Sequence, residues 1–268
     1  MLSNIPPYFL NRGLDHFSPS QGTMNLDKYV YSYLLCSQEK RRKFKNNSKM
    51  RCGVLVGEVL EAVLTDTKPP ALTYTDYIKW DDMEDKEQWE NDKNLIMDTV
   101  NQALRGLKLL NINPGDKMVF ENYVNYTDDS LVLPIIGRTD IQTPNKIVEL
   151  KTMWTKKNKR KKDGTRSFSI PKLKDLPDDK HMMQASFYHH ATQLPTWILQ
   201  VVPNDFRLFE VTAYDYKQAL HNLINNLKIK QEVAKLDEPQ KVVQPDFTHF
   251  TWNIGDQFKK EAKEMYGY

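Results

Sequence analysis

The chain is poor in cysteine: only Cys36 and Cys52 occur among 268 residues. Two thiols are too few for a disulfide framework, an all-cysteine zinc site or a four-cysteine iron–sulfur cluster, and they read as small buried hydrophobes. Long hydrophobic runs are missing as well. No stretch approaches the ~18 consecutive apolar residues of a membrane span, so no membrane contact is expected. The opening Met1-Leu2-Ser3-Asn4-Ile5-Pro6-Pro7 lacks the charged and apolar regions of a secretory signal, which makes a cytoplasmic location the expectation. An excess of charge of one sign is nearly absent too: 38 basic residues against 35 acidic ones leave a net +3, in itself a weak reason to expect a nucleic-acid partner. There is no internal repeat. What is present, 40% hydrophobic, 27% charged and 11% aromatic residues, suits a folded α/β domain with extensions.

Residues 1–48 read as an N-terminal helical arm, with a Pro/Ser-rich lead in which Ser18 or Ser20 caps an early turn, a helix over Leu26–Cys36 and the basic run Lys40–Lys45. Residues 49–268 read as one compact unit. An apolar helix runs over Gly53–Thr65 and is ended by Thr67-Lys68-Pro69-Pro70, an acidic segment follows over Trp80–Trp89, and helical spacing resumes over Asp92–Leu109. A β-meander is expected over Met118–Tyr126, Leu131–Asp140 and Lys146–Thr152, with turns at Thr127–Ser130 and Pro144-Asn145. Beyond a basic loop over Lys156–Lys174 come a helix over His181–Thr192, strands over Trp197–Val202 and Phe206–Val211, and helices over Tyr214–Ala234 and Ile254–Met265.

The clearest chemistry lies in Gly137-Arg138-Thr139-Asp140 followed by Glu149-Leu150-Lys151. Side chains two apart on a strand share a face, so Glu149 and Lys151 point one way while Val148 and Leu150 point into the core. A hairpin turn through Gln142–Asn145 brings Asp140 beside Glu149. Two carboxylates and the Leu150 carbonyl form an oxygen-rich set that suits Mg²⁺, or Mn²⁺, better than zinc, and a neighbouring ammonium can orient a water for attack on phosphorus. The plain alternative is a solvated strand face.

These residues resemble the core of the PD-(D/E)xK nuclease superfamily, in which an aspartate on one strand pairs with an acid-x-lysine on the next. Gln184-Ala185-Ser186-Phe187-Tyr188 is similar to the Gln-x-x-x-Tyr signature of its RecB-like branch. Ser18-Pro19-Ser20 and Gly53 to Glu61 resemble two further motifs, in the same order. The resemblance implies an α/β fold with a central mixed β-sheet flanked by helices, a restriction-endonuclease-like nuclease core. It also implies a Mg²⁺-dependent DNA exonuclease of recombination, repair or phage DNA metabolism, in a bacterial or phage-infected host cell, acting on single strands or duplex ends. Phage-type and mitochondrial genome-maintenance-type exonucleases share the pattern.

By that resemblance Asp140, Glu149 and the Leu150 carbonyl hold the metal and Lys151 orients the water, while Gln184 and Tyr188 contact the DNA backbone or steady the site. The chain departs from the pattern at Gly57, where a metal-binding His or Glu is usual; Glu58 or Glu61 is expected to substitute. The iron–sulfur members of the branch are no guide here, since their cysteines are missing. A homo-oligomer or a single-strand-annealing partner protein fits the resemblance, but no surface feature predicts either.

Lys156, Lys157, Lys159, Arg160, Lys161, Lys162 and Arg166, near Trp154 and Phe168, suit a phosphate backbone with stacked bases. The run Lys40–Lys45 is a candidate second wall of the same channel. His181, His189 and His190 lack the spacing of zinc ligands and read as solvated or core residues. Two other readings stay open: a non-catalytic nucleic-acid-binding module on the same fold, favoured by Gly57, and a PD-(D/E)xK endonuclease.

Overall fold

The computed structural model describes residues 5–42, 47–72, 83–249, 252 and 254–268. Its first part is helical. Short helices α1 (Pro7–Leu10), α2 (Pro19–Thr23) and α3 (Leu26–Tyr29) lead into a π-helical stretch, Val30–Leu35, and then α4 (Gln38–Arg42). The Ser18 side chain accepts the Gln21 N–H while Gln21 reaches back to the Ser18 N–H, a reciprocal cap that starts α2. The long helix α5 (Ser48–Leu64) is followed by α6 (Met83–Asp92), a 3₁₀ turn over Lys93–Leu95, and α7 (Ile96–Leu109).

Strands β1 (Val119–Tyr126), β2 (Ile135–Thr143) and β3 (Lys146–Thr152) come next, then a two-stranded ribbon of β4 (Lys156–Lys157) and β5 (Phe168–Ser169). Helix α8 (Asp179–Thr192), strands β6 (Thr196–Val202) and β7 (Asp205–Glu210), and helices α9 (Tyr216–Ala234) and α10 (Asp256–Tyr266) complete the chain. The main sheet has the order β1-β2-β3-β6-β7, antiparallel except where β3 lies parallel to β6. A parallel neighbour needs a crossover, and α8 supplies it.

The sheet is buried on both sides. Leu55, Val59, Val100 and Leu107 of α5 and α7 cover Ile141, Val148, Leu199 and Val201. Phe9, Phe17, Tyr29, Phe187, Tyr188, Leu223 and Leu227 pack with Ile135 and Ile147. Residues 9–34 thus share a core with α8, α9 and the sheet. The architecture is the expected α/β fold, a central mixed sheet flanked by helices.

Three local differences have physical causes. The strand expected over Leu131–Asp140 begins only at Ile135, because Pro134 has no N–H to give; its carbonyl instead accepts from Phe17, and Phe17 in turn accepts from Ile136. Helix α5 starts at Ser48, five residues before the expected Gly53, because two caps hold it there. Asn47 accepts the Met50 N–H, and Asp85 of α6 accepts both the N–H and the hydroxyl of Ser48. Helix α6 itself occupies much of the segment read as merely acidic; Trp80 and its neighbours to residue 82 lie outside the described residues.

Candidate active site

Strands β2 and β3 form a tight hairpin at Pro144-Asn145, pairing Thr143 with Lys146, Gln142 with Ile147 and Ile141 with Val148. There the ladder stops. One step on, an Asp140 carboxylate oxygen accepts the Leu150 N–H at 2.7 Å, and β3 continues in register with β6 alone. Asp140 is left out of the β1 ladder as well, which pairs Ile141 with Phe120 and Thr139 with Asn122. Opposite it, Glu121 adopts a left-handed φ of 51° inside a strand, where a side chain is ordinarily unfavourable. Asp140 therefore stands in a local opening of the sheet, not at the strand end that the sequence suggested.

Glu149 and Lys151 meet inside this opening. The Lys151 ammonium donates to Glu149 Oε1 at 2.6 Å and to Gln184 Oε1 at 3.0 Å. Gln184 and Tyr188 lie one turn apart on α8, and Gln184 Nε2 donates to the Tyr188 hydroxyl at 3.1 Å. That hydroxyl donates to the Arg138 carbonyl at 2.7 Å. The chain of bonds fixes the Gln184 amide in one orientation and ties Lys151 to β2. Tyr188 is buried, and its hydroxyl is committed to these two bonds. Close approach of α8 requires Gly137: a Cβ there would lie 2.6 Å from both the Phe187 and Tyr188 rings.

Burial, together with the adjacent Asp140, pushes the Glu149 carboxyl up to about 8, against the pull of Lys151. Burial also raises Asp140. For Lys151 burial alone would favour the neutral amine, but Glu149 and Asp140 outweigh it and hold the ammonium charged above its usual range. Among the described residues no donor reaches the buried Glu149 Oε2, and its carboxyl lies against that of Asp140. Two buried carboxyls that resist ionising side by side, one with an orphaned oxygen, are a donor set that a hard dication fits: its charge removes their repulsion and its coordination uses the lone pairs.

A cleft of about 840 Å³ opens over the site, and Asp140, Leu150 and Lys151 line it. So do Glu58 and Glu61 of α5, together with Gly57, beside whose missing Cβ there is open space. Glu58 also pairs with Arg51 at 3.4 Å. Glu58 and Glu61 thus share the cleft but do not close on Asp140; among the described residues no three acidic, imidazole or thiol side chains converge as a ready metal cage. Mg²⁺ commonly keeps several waters and takes one or two carboxylates, so the Asp140–Glu149 pair suffices for it.

Four ionisable residues of the cleft carry no site role in the sequence reading: Lys49, Glu121, Arg138 and His181. His181 sits three residues before Gln184 on α8, the one local signal that it faces the site. Burial and the Lys151 charge depress it to about 4, which keeps it neutral at pH 7. His189 bonds the Leu194 carbonyl and His190 packs edge-on against Tyr126. Both cysteines are buried.

The basic loop is an arm carrying the β4–β5 ribbon, and its cations divide into two sets. Arg166 pairs with Glu84 at 3.0 Å and Arg160 with Glu87 at 3.0 Å, both on α6, and Lys157 also reaches Glu84. Lys156, Lys159, Lys161 and Lys162 are exposed and form no ion pair among the described residues. The acidic helix holds the arm, so Arg160 and Arg166 are engaged before any ligand arrives. In the other basic run, Lys40 pairs with Glu261 and Arg41 bonds the Ser32 and Cys36 carbonyls. Residues 43–46 of that run lie outside the described residues.

No protein-family model matches the chain, and no curated protein does. Among solved structures, a protein from Eubacterium rectale described as a candidate exonuclease superposes with a TM-score of 0.52 at 15% identity, covering 92% of this chain and 88% of that one. The likeness is one of fold. A second structure, SSO0001, is 17% identical over 54% of this chain and 67% of that one, with a TM-score of 0.29, and carries no argument. No helix among the described residues is long and apolar enough to cross a membrane.

Proposed function

We propose that this chain is a Mg²⁺-dependent DNA nuclease of the PD-(D/E)xK kind, acting as an exonuclease on single strands or duplex ends. The observation that carries the reading is the convergence of Asp140, Glu149 and Lys151 at a break in the β2–β3 ladder, beneath a cleft. The similarity to a structure described as an exonuclease supports it at the level of fold.

When bound, the dication supplies charge neutralisation at the phosphoryl and leaving oxygens and eases ionisation of water. The chain's own residues do the placing. Asp140 and Glu149 would hold the metal, together with the Leu150 carbonyl, and Glu58 or Glu61 of α5 would supply a further ligand from across the cleft. Lys151 has three N–H donors, of which Glu149 and Gln184 take two. The third is left for the attacking water or a phosphoryl oxygen. Held by Glu149 and Gln184, Lys151 orients and stabilises. Gln184 and Tyr188 hold Lys151 in place, and the four exposed lysines of the arm draw in the phosphate backbone.

The reading includes a cytoplasmic role in recombination, repair or phage DNA metabolism, with DNA as partner and an oligomer or annealing protein as companion. Its test is a time course on 5′- and 3′-labelled single- and double-stranded oligonucleotides with Mg²⁺, Mn²⁺ and chelator. Release of end label in Mg²⁺, lost in chelator and in Lys151→Ala, is the expected result. Cleavage by Lys151→Ala at the wild-type rate would overturn the mechanism, and rapid nicking of closed circular DNA would make the enzyme an endonuclease.

The open space at Gly57 favours one second reading, a binding module on a nuclease fold that has lost metal competence. Calorimetric titration of Mg²⁺ into wild type and Asp140→Ala separates the two. Heat of binding that vanishes in the variant supports the nuclease.

A further inference from the structure

Arg138 occupies a position that its neighbours fix closely. Tyr188 bonds its carbonyl, Gly137 before it lets α8 lie against the strand, and its backbone stands in register with Tyr123 of β1. The backbone is therefore rigid, while the side chain is about half exposed and lines the cleft with Asp140, two residues on. The guanidinium is paired with Glu121 at 2.7 Å, and both side chains are open to solvent, at 52% and 58% exposure. A pair so exposed is weakly held and exchanges readily.

The other cations of the cleft are less available. Lys151 is taken up by Glu149 and Gln184, and Lys49 is partly buried, its ammonium depressed by desolvation. Glu58, Glu61, Glu121 and Asp140 line the same cleft. A polyanionic strand entering it needs a cation able to offer a fork of donors to phosphate oxygens, and guanidinium is the side chain built for that.

The geometry points to Arg138 as a phosphate-binding residue of the cleft: parked on Glu121 in the free protein, it transfers to a backbone phosphate when a nucleic-acid strand enters beside Asp140. The left-handed Glu121 serves as its parking place, and the break in the β1 ladder puts that carboxylate level with Asp140. This inference rests on the nuclease reading of the same cleft for its ligand, and it concerns binding and not the chemical step.

The test is equilibrium binding of a fluorescent single-stranded oligonucleotide in Ca²⁺ across a range of salt, with wild type, Arg138→Ala, Arg138→Lys and Glu121→Gln. Arg138→Ala is expected to weaken binding at least about fivefold and to reduce the slope of log affinity against log salt by about 0.7, one phosphate's worth on a single strand. Arg138→Lys should recover the slope but only part of the affinity, since it keeps the charge and loses the fork. Glu121→Gln, which frees the guanidinium, should tighten binding severalfold. A merely structural Arg138 would change thermal stability and leave the slope alone. Wild-type affinity and slope in both Arg138→Ala and Glu121→Gln would overturn the inference. Failure of wild type to cut in Mg²⁺ would instead overturn the nuclease reading while these binding differences stood.

Discussion

Asp140 accepts the backbone N–H of Leu150 at 2.7 Å, taking the place that a strand carbonyl would hold if β2 and β3 stayed paired. One side chain thus compensates for the opening it creates. It satisfies the first N–H exposed by the split, and leaves its remaining lone pairs, with the orphaned oxygen of Glu149, for a cation.

The raised Glu149 and Asp140 carboxyls predict a stability that depends on pH and metal. A carboxyl whose folded value, about 8 for Glu149, exceeds its unfolded one binds more protons folded than unfolded. Stability therefore falls as pH rises between the two values, by at most about 1.4 kcal/mol per pH unit for each proton. His181, depressed to about 4, acts oppositely below pH 6.5, and buried Lys28 and Lys230, both near 8, act oppositely above pH 8. The clean window is pH 6.5 to 8. In chelator the melting temperature should drop across it, Mg²⁺ should restore it, and Glu149→Gln should abolish both effects. A flat profile for wild type would refute the electrostatics.

Gly57 can be filled. Nothing lies within 4 Å of the Cβ it lacks, and it sits in the interior of α5, where glycine is a poor helix former. Gly57→Ala should stabilise the protein by up to about 1 kcal/mol through helix propensity, measured by urea melts. Gly57→Glu should add a carboxylate to the cleft and tighten Mg²⁺ binding by calorimetry. Unchanged affinity would place the metal away from α5.

Gly137 cannot be filled. Gly137→Ala drives a methyl into the Phe187 and Tyr188 rings and should cost about 1–3 kcal/mol by overpacking. Displacing the Tyr188 hydroxyl also loosens Gln184 and Lys151, so kcat should fall with KM little changed. Wild-type kcat in a folded Gly137→Ala would show that the buried chain of bonds has no part in catalysis.

Glu84 and Glu87 restrain the basic arm. Their double change to Gln should release Arg160 and Arg166 and strengthen DNA binding at low salt with a steeper salt dependence. Each pair has one partner open to solvent, Arg160 at 48% and Glu84 at 59% exposure, so stability should change by less than about 1 kcal/mol for each. Weaker binding would instead mean that the arm must be held in place to reach DNA.

The sequence by itself determined the period-two pattern of β3, the turn at Pro144-Asn145 and the Gln184/Tyr188 spacing, because strand alternation, a two-residue turn and helical repeat are local properties of the chain. Those features were enough to bring Asp140 beside Glu149 and Lys151. It could not show that Asp85 starts α5, that Glu84 and Glu87 engage three of the seven cations of the basic arm, or that Arg138, Glu121 and His181 enter the cleft. Those contacts join residues 37 to 82 apart or turn on a strand distortion, and only tertiary packing decides which distant carboxylate meets which cation. The burial that lifts Glu149 is likewise collective: desolvation comes from α8 and the sheet closing over it, and no pattern of neighbours along the chain encodes it.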